Sequence, residues 1–138
     1  MLAGCGEKAT TLDEFNTIPV TLPDGTVIRA EVASKPFELT KGLMFRPSLA
    51  ADHGMLFLQQ RPGSYPTWMY QTKIPLDIIW MDPQHRVVEI AANTPPCPNK
   101  SAKECATYGG KVASQSMLEI NAGLAAKHGV VEGARISY

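Results

Sequence analysis

One carboxylate stands inside the most apolar run of the chain. In Leu76-Asp77-Ile78-Ile79-Trp80-Met81, Asp77 is the single charge. Strand alternation puts it on one face with Ile79 and Met81. If both faces of that strand are covered, the carboxylate needs partners, because an unpaired buried charge costs several kcal/mol. Arg46, closing Gly42-Leu43-Met44-Phe45-Arg46, is the expected partner, since a guanidinium suits a bidentate carboxylate contact. Such a pair reads either as an acid/base or ligand-anchoring couple in a cleft or as a salt bridge fixing a helix against a sheet. The salt bridge is the preferred reading. Glu119 alternates with Met117 and Asn121 and is placed to share a cleft with Asp77. Two facing carboxylates suit acid/base or glycosidic chemistry, so Asp77 and Glu119 are the candidate catalytic residues. A solvated glutamate at a sheet edge is nevertheless the preferred reading of Glu119.

Other side chains offer weaker chemistry. Met44, Met55, Met69, Met81 and Met117 are thioethers that could hold Cu(I), but no Met-x-x-Met spacing occurs and core filling is the better account. Trp68, Tyr70, Trp80 and Tyr65 could wall a site for a sugar or other flat ligand. The loop Tyr65-Pro66-Thr67-Trp68 is the best placed for that, although Trp68 and Trp80 as core residues are at least as good a reading. His53, Ser64 and Asp77 invite a hydrolase triad, yet there is no Gly-x-Ser-x-Gly elbow. No P-loop or Gly-x-Gly-x-x-Gly is present, so no cofactor is expected. His53, His85 and His128 are scattered, so no metal site is expected either.

The three cysteines are Cys5, Cys97 and Cys105. Leu2-Ala3-Gly4-Cys5 resembles the lipobox of bacterial lipoproteins, in which the Cys thiol is lipidated. The basic and apolar segments that precede a lipobox in a signal peptide are absent. The two readings are a chain whose signal peptide has been cut away, which is favoured, and a chance match of four residues. An exported chain should join Cys97 to Cys105, and closing so short a loop is worth roughly 2.5 kcal/mol in the chain-entropy model. The alternative is a cytosolic protein with two reduced thiols. The expected location is therefore periplasmic or membrane-anchored, with membrane contact only through a lipid at Cys5. No window approaches ~18 continuous apolar residues, the length a spanning helix needs.

Short elements must position these groups. The chain has 138 residues, 44% of them apolar, with 11 Gly and 11 Pro. That is one domain with many turns, favouring short strands over long helices. The 13 basic and 13 acidic side chains balance, which speaks against a nucleic-acid partner held by bulk phosphate neutralisation. Strands are predicted over 18–22, 27–32, 54–58, 67–72, 76–81, 86–91, 116–120 and 133–138. The run 76–81 is taken as central. Pro23-Asp24-Gly25 and Asp82-Pro83-Gln84-His85 are turns. A glycine-weakened helix is predicted over 37–46. A second runs Ala122–His128, with Asn121 as N-cap and Gly129 at C′. The expected fold is mainly β: a single-domain β-sandwich or half-open barrel of seven or eight short strands with two short helices. Residues 1–16 form the lipobox remnant and polar tether, and 17–138 the β domain.

Several blocks together carry a resemblance. They are Gly42-Leu43-Met44-Phe45-Arg46, Gly54-Met55-Leu56-Phe57, Trp68-Met69, Thr72-Lys73-Ile74-Pro75-Leu76-Asp77-Ile78-Ile79, Pro96-Cys97 ahead of Cys105, and Leu118-Glu119-Ile120-Asn121-Ala122-Gly123. In order and spacing the chain resembles the bacterial and archaeal family catalogued as domain of unknown function 192, over roughly residues 20–138. The resemblance implies a compact β-sandwich-like domain and an exported protein. It brings no activity and no catalytic residues. One departure is Gln71, where the family often has Asn.

The expected function is that of a small exported β domain binding a small molecule or an envelope protein. Its cleft would be walled by Trp68, Met69 and Met44 and floored by Arg46 and Asp77. The alternatives are an envelope-polymer hydrolase using Asp77 and Glu119, and a structural or accessory protein without a small-molecule site.

Overall fold

The computed structural model describes residues 16–138. The lipobox, Cys5 and all of the polar tether except Asn16 lie outside the described residues. Among these residues, eight strands and two short α-helices follow one another. Strands β1 (Thr17–Thr21) and β2 (Val27–Ala33) form a hairpin, and α1 (Pro36–Lys41) follows. Next come β3 (His53–Gly63), β4 (Thr67–Trp68), β5 (Leu76–Met81) and β6 (Val87–Thr94). The chain finishes with β7 (Thr107–Tyr108), β8 (Ser114–Asn121) and α2 (Leu124–Lys127). The mainly-β expectation holds. Six strands form one open sheet in the order β1-β2-β3-β8-β5-β6, and β4 pairs with β7 in a small second sheet. Only β2 and β3 run parallel among the paired strands. Their connection carries α1, as a parallel crossover requires more chain than a hairpin turn.

Local chemistry explains much of this. At the β1–β2 turn the Asp24 carboxylate accepts the Thr26 N–H at 3.0 Å, and Gly25 donates to the Leu22 carbonyl at 2.9 Å. All six residues of β5 are buried, because β8 and β6 flank it and both sheet faces are covered. A doubly covered strand reads as a continuous apolar run. Alternation then divides the core. Leu56, Ile79, Met81, Leu118 and Ile120 pack on one face with Ala125 of α2 and Ile136. Met55, Phe57, Ile78, Trp80 and Met117 pack on the other with Leu43 and Met69.

Two glycines set close approaches. A Cβ at Gly54 would stand 2.7 Å from the Glu119 carbonyl oxygen, so glycine lets β3 close on β8. Gly109, at φ +78°, lies against Trp80, where a Cβ would sit 2.2 Å from the indole. Trp80 is thereby locked in the core, its Nε1–H donating to the Tyr65 carbonyl at 2.8 Å.

Three elements differ from expectation. The strand predicted over 67–72 ends at Trp68, because Gln71 takes φ +57° and turns the chain. Residues 133–138 close the sheet only through isolated bridges, Thr21 to Ser137 and Arg86 to Arg135. Helix α2 begins at Leu124, and Asn121 does not cap it: its side chain donates to the Leu49 carbonyl at 2.6 Å. The C-terminal end does follow expectation. Gly129 at φ +75° turns the chain so that Val130 N–H reaches the Ala125 carbonyl at 2.9 Å. Cys97 and Cys105 are disulfide-bonded, their Cα atoms 5.7 Å apart.

Candidate functional site

The second face of the large sheet carries a cleft of ≈ 290 Å³. Its floor is Phe57 of β3 and Glu119 of β8. One wall is the end of α1 and the turn after it, from Leu39 to Met44. The other is the small sheet, which presents Thr67, Trp68 and Thr107, with Thr72 beside them. The volume is at the lower limit of small-molecule sites, so it suits a compact ligand.

Glu119 is the unusual group. It is 5% exposed, because β8 is an interior strand between β3 and β5. The expectation of a solvated edge glutamate is therefore wrong. None of the described residues hydrogen-bonds its carboxyl, yet its oxygens are not sealed and meet the cleft. Burial alone, with no neighbouring charge contributing, pushes its carboxyl up to about 8. The group is therefore mostly a neutral acid at pH 7. It can donate one hydrogen bond and accept another, and it can ionise when a cation arrives.

Asp77 behaves otherwise. It is 1% exposed, and its carboxylate accepts three backbone N–H bonds. Asn93 donates to Oδ1 at 2.8 Å, while Gly123 and Ala125 donate to Oδ2 at 3.0 and 2.8 Å. Asp77 thus caps α2 from a neighbouring strand and ties the end of β6 to it. The expected Asp77–Arg46 pair does not form. Arg46 makes the bidentate fork with Glu31 instead, Nη1 and Nη2 donating at 2.5 and 2.7 Å. The sheet register gives the reason. Asp77 lies opposite Ile120 and points to the α2 face. Glu31, Met55, Glu119 and Ile78 make one row across the other face, the face that Arg46 reaches.

The same register separates the two candidate catalytic carboxylates. Asp77 and Glu119 project from opposite faces of the sheet, so they do not share a cleft. Of the five expected ligand-binding residues, Trp68 and Met44 line the cleft. Met69 is sealed in the core, where alternation within the broken strand cannot apply. Arg46 borders a neighbouring groove with Glu31 and Met55. Asp77 is behind the sheet. The aromatic wall reduces to Trp68, with Tyr70 edge-on at 5.7 Å. The suggested triad is dispersed as well: His53 pairs with Asp52 at 2.9 Å and Ser64 donates to the Gly110 carbonyl at 2.8 Å.

Thr67 belongs to the loop expected to meet a ligand, whereas Thr72, Thr107 and Lys41 carry no signal in the sequence as cleft residues. Threonine in short strands has no signal beyond β propensity, and Thr107 reaches the cleft only through the β4–β7 pairing. The turn forming one wall is held to the rim by a backbone bond, Phe45 N–H to the Gln71 carbonyl at 2.8 Å. Both residues are left-handed, at φ +70° and +57°. That conformation is costly for either side chain, and the mutual bond helps hold them there.

Residues 20–138 match the profile of the family described as "Uncharacterized ACR", domain of unknown function 192. Two solved structures are similar. A protein of unknown function from Novosphingobium aromaticivorans has TM-score 0.79 and 38% identity, covering 88% of this chain and 85% of its own. A protein from Sinorhizobium meliloti, described as a candidate transcription regulator, has TM-score 0.75 and 28% identity, covering 88% and 91%. No curated protein matches the chain.

Proposed function

The chain belongs to the domain of unknown function 192 family, and on that footing we propose that it is an exported β domain that binds a compact polar molecule at the cell envelope, in the cleft over Glu119. The observation that carries this reading is the Glu119 carboxyl. It is buried, it faces a cavity, and it has no partner among the described residues. The fold itself supplies this carboxyl with no hydrogen-bond partner among the described residues, so its bonding capacity faces the cleft, where a ligand group can take it up. Trp68 supplies a flat wall, and Thr67, Thr72 and Thr107 supply hydroxyls.

Export is supported by the Cys97–Cys105 bond, since disulfides persist in oxidising compartments. It is supported also by the Leu2-Ala3-Gly4-Cys5 run. In this reading Cys5 carries a lipid, which places the domain at a membrane surface in the periplasm. A hydrolase working through Asp77 and Glu119 has no support, because the sheet stands between them.

The test is an NMR screen of small polar fragments against the protein, its Glu119→Gln variant and its Trp68→Ala variant. Fragments should move the amide signals of Glu119, Trp68 and Thr107, and both substitutions should weaken them. If no fragment perturbs the cleft, the accessory reading, with no small-molecule site, replaces this one. In a bacterial host, Cys5→Ser should abolish incorporation of labelled fatty acid.

A further inference from the structure

Resting on the reading of the cleft as a ligand site, we infer that the ligand class is a small organic ammonium ion, its N–H groups received by the Glu119 carboxylate beside the Trp68 indole. The other buried or half-buried carboxylates near the sheet are compensated inside the fold. Asp77 receives three backbone N–H groups, and Glu31 receives the Arg46 fork. Glu119 receives neither a donor nor a cation. A ligand hydroxyl offers only a neutral hydrogen bond. An ammonium offers the donor and the missing charge together, and such charge-assisted bonds are roughly twice as strong. Trp68 adds an aromatic wall of the kind that attracts cations.

The surroundings leave that position open to a ligand. The cleft groups contributed by β3, β4 and β7 are Phe57, Thr67, Trp68 and Thr107, with Met55 of β3 and Ile78 of β5 flanking Glu119 in its row. None of these titrates. The α1 end contributes Lys41, which is exposed, with its ammonium 5.9 Å from the Phe37 ring. Beyond Met55 stands Glu31 with Arg46, two strand spacings or roughly 10 Å away.

Proton balance gives the signature. In the empty cleft at neutral pH, Glu119 carries its proton, because burial raises the carboxyl to about 8. An arriving ammonium keeps its own protons. The Glu119 proton leaves to solvent, and a carboxylate–ammonium pair remains. Binding therefore releases about one proton below pH 8 and strengthens as pH rises.

Benzylamine and its neutral isostere benzyl alcohol serve as probes, titrated into the protein at pH 6 and pH 8 and followed by amide NMR shifts. From a carboxyl near 8, the ionised fraction rises about 50-fold over that interval. Benzylamine affinity should rise by a similar factor, and benzyl alcohol should show no such rise. Glu119→Gln, which mimics the neutral acid and so keeps the fold, should remove the pH dependence. Equal, pH-independent binding of both probes in the cleft would overturn the ammonium class while leaving the ligand site standing. Absence of benzylamine shifts in the cleft at both pH values would also overturn it, and the fragment screen would then decide the wider reading.

Discussion

Replacing Glu119 by Gln should change how stability depends on pH. An unfolded glutamate titrates near 4.5, whereas the native Glu119 carboxyl is raised to about 8 by burial. Between those values the native protein keeps a proton that the unfolded chain has lost. Stability must then fall as pH rises, by about 1.4 kcal/mol per pH unit. Below 4.5 both states are protonated and the group contributes no slope. Above about 8 both are ionised and the loss levels off. The whole span is worth up to about 5 kcal/mol, a large part of the ~5–15 kcal/mol that holds a domain folded. Glutamine stays neutral throughout, so the variant should lack this slope. Urea unfolding at pH 5, 6, 7 and 8 reads the difference as midpoints at unchanged m. The lowered carboxyls Asp24, Glu38 and Asp52 are common to both proteins and cancel in the subtraction. The variant should match the parent near pH 5 and be the more stable by several kcal/mol at pH 8. Parallel profiles would refute the argument, because they would mean that Glu119 is solvated or already paired.

Three further perturbations follow from the same geometry. Asp77→Asn replaces one acceptor oxygen by an NH₂ group facing backbone donors, so about 3 kcal/mol of stability should be lost in urea unfolding; an unchanged midpoint would remove Asp77 from its capping role. Gly109→Ala places a methyl inside the van der Waals radius of Trp80 and should cost about 3 kcal/mol or more, with a changed tryptophan emission as the local readout. Gln71→Asn suits the left-handed φ of +57° and should raise stability by about 0.5–1 kcal/mol in thermal unfolding.

The apolar run Leu76–Met81, the turn at Asp24-Gly25, the glycine after α2 and the mainly-β class were all legible along the chain. Each depends on residues within a few positions of one another. Periodicity also placed Asp77 on the face of Ile79 and Met81, where the structure has it. Partnership was another matter. Arg46 pairs with Glu31 rather than Asp77, a choice the sequence does not carry, because strand alternation says which residues share a face within one strand but not how faces align between strands. That alignment came from β2 lying parallel to β3 and from β8 entering between β3 and β5. Met69 and Thr107 were unreadable for a related reason: one lies where a strand is broken by a left-handed Gln71, the other in a two-residue strand.

The linear order of residues by itself determined the class of fold, the local turns and the apolar strand with its single carboxylate; it offered the Cys97–Cys105 bond only on condition of export, and the structure has the two sulfurs joined. Tertiary structure alone decided which acid is satisfied and which is left facing a cavity. Asp77 and Glu119 are each the single charge of their strand, and nothing in the sequence says which of them finds partners. Only the cross-strand register sends one toward the amides of α2 and the other into the cleft, because burial and hydrogen-bond supply belong to the space around a side chain rather than to its neighbours in the chain.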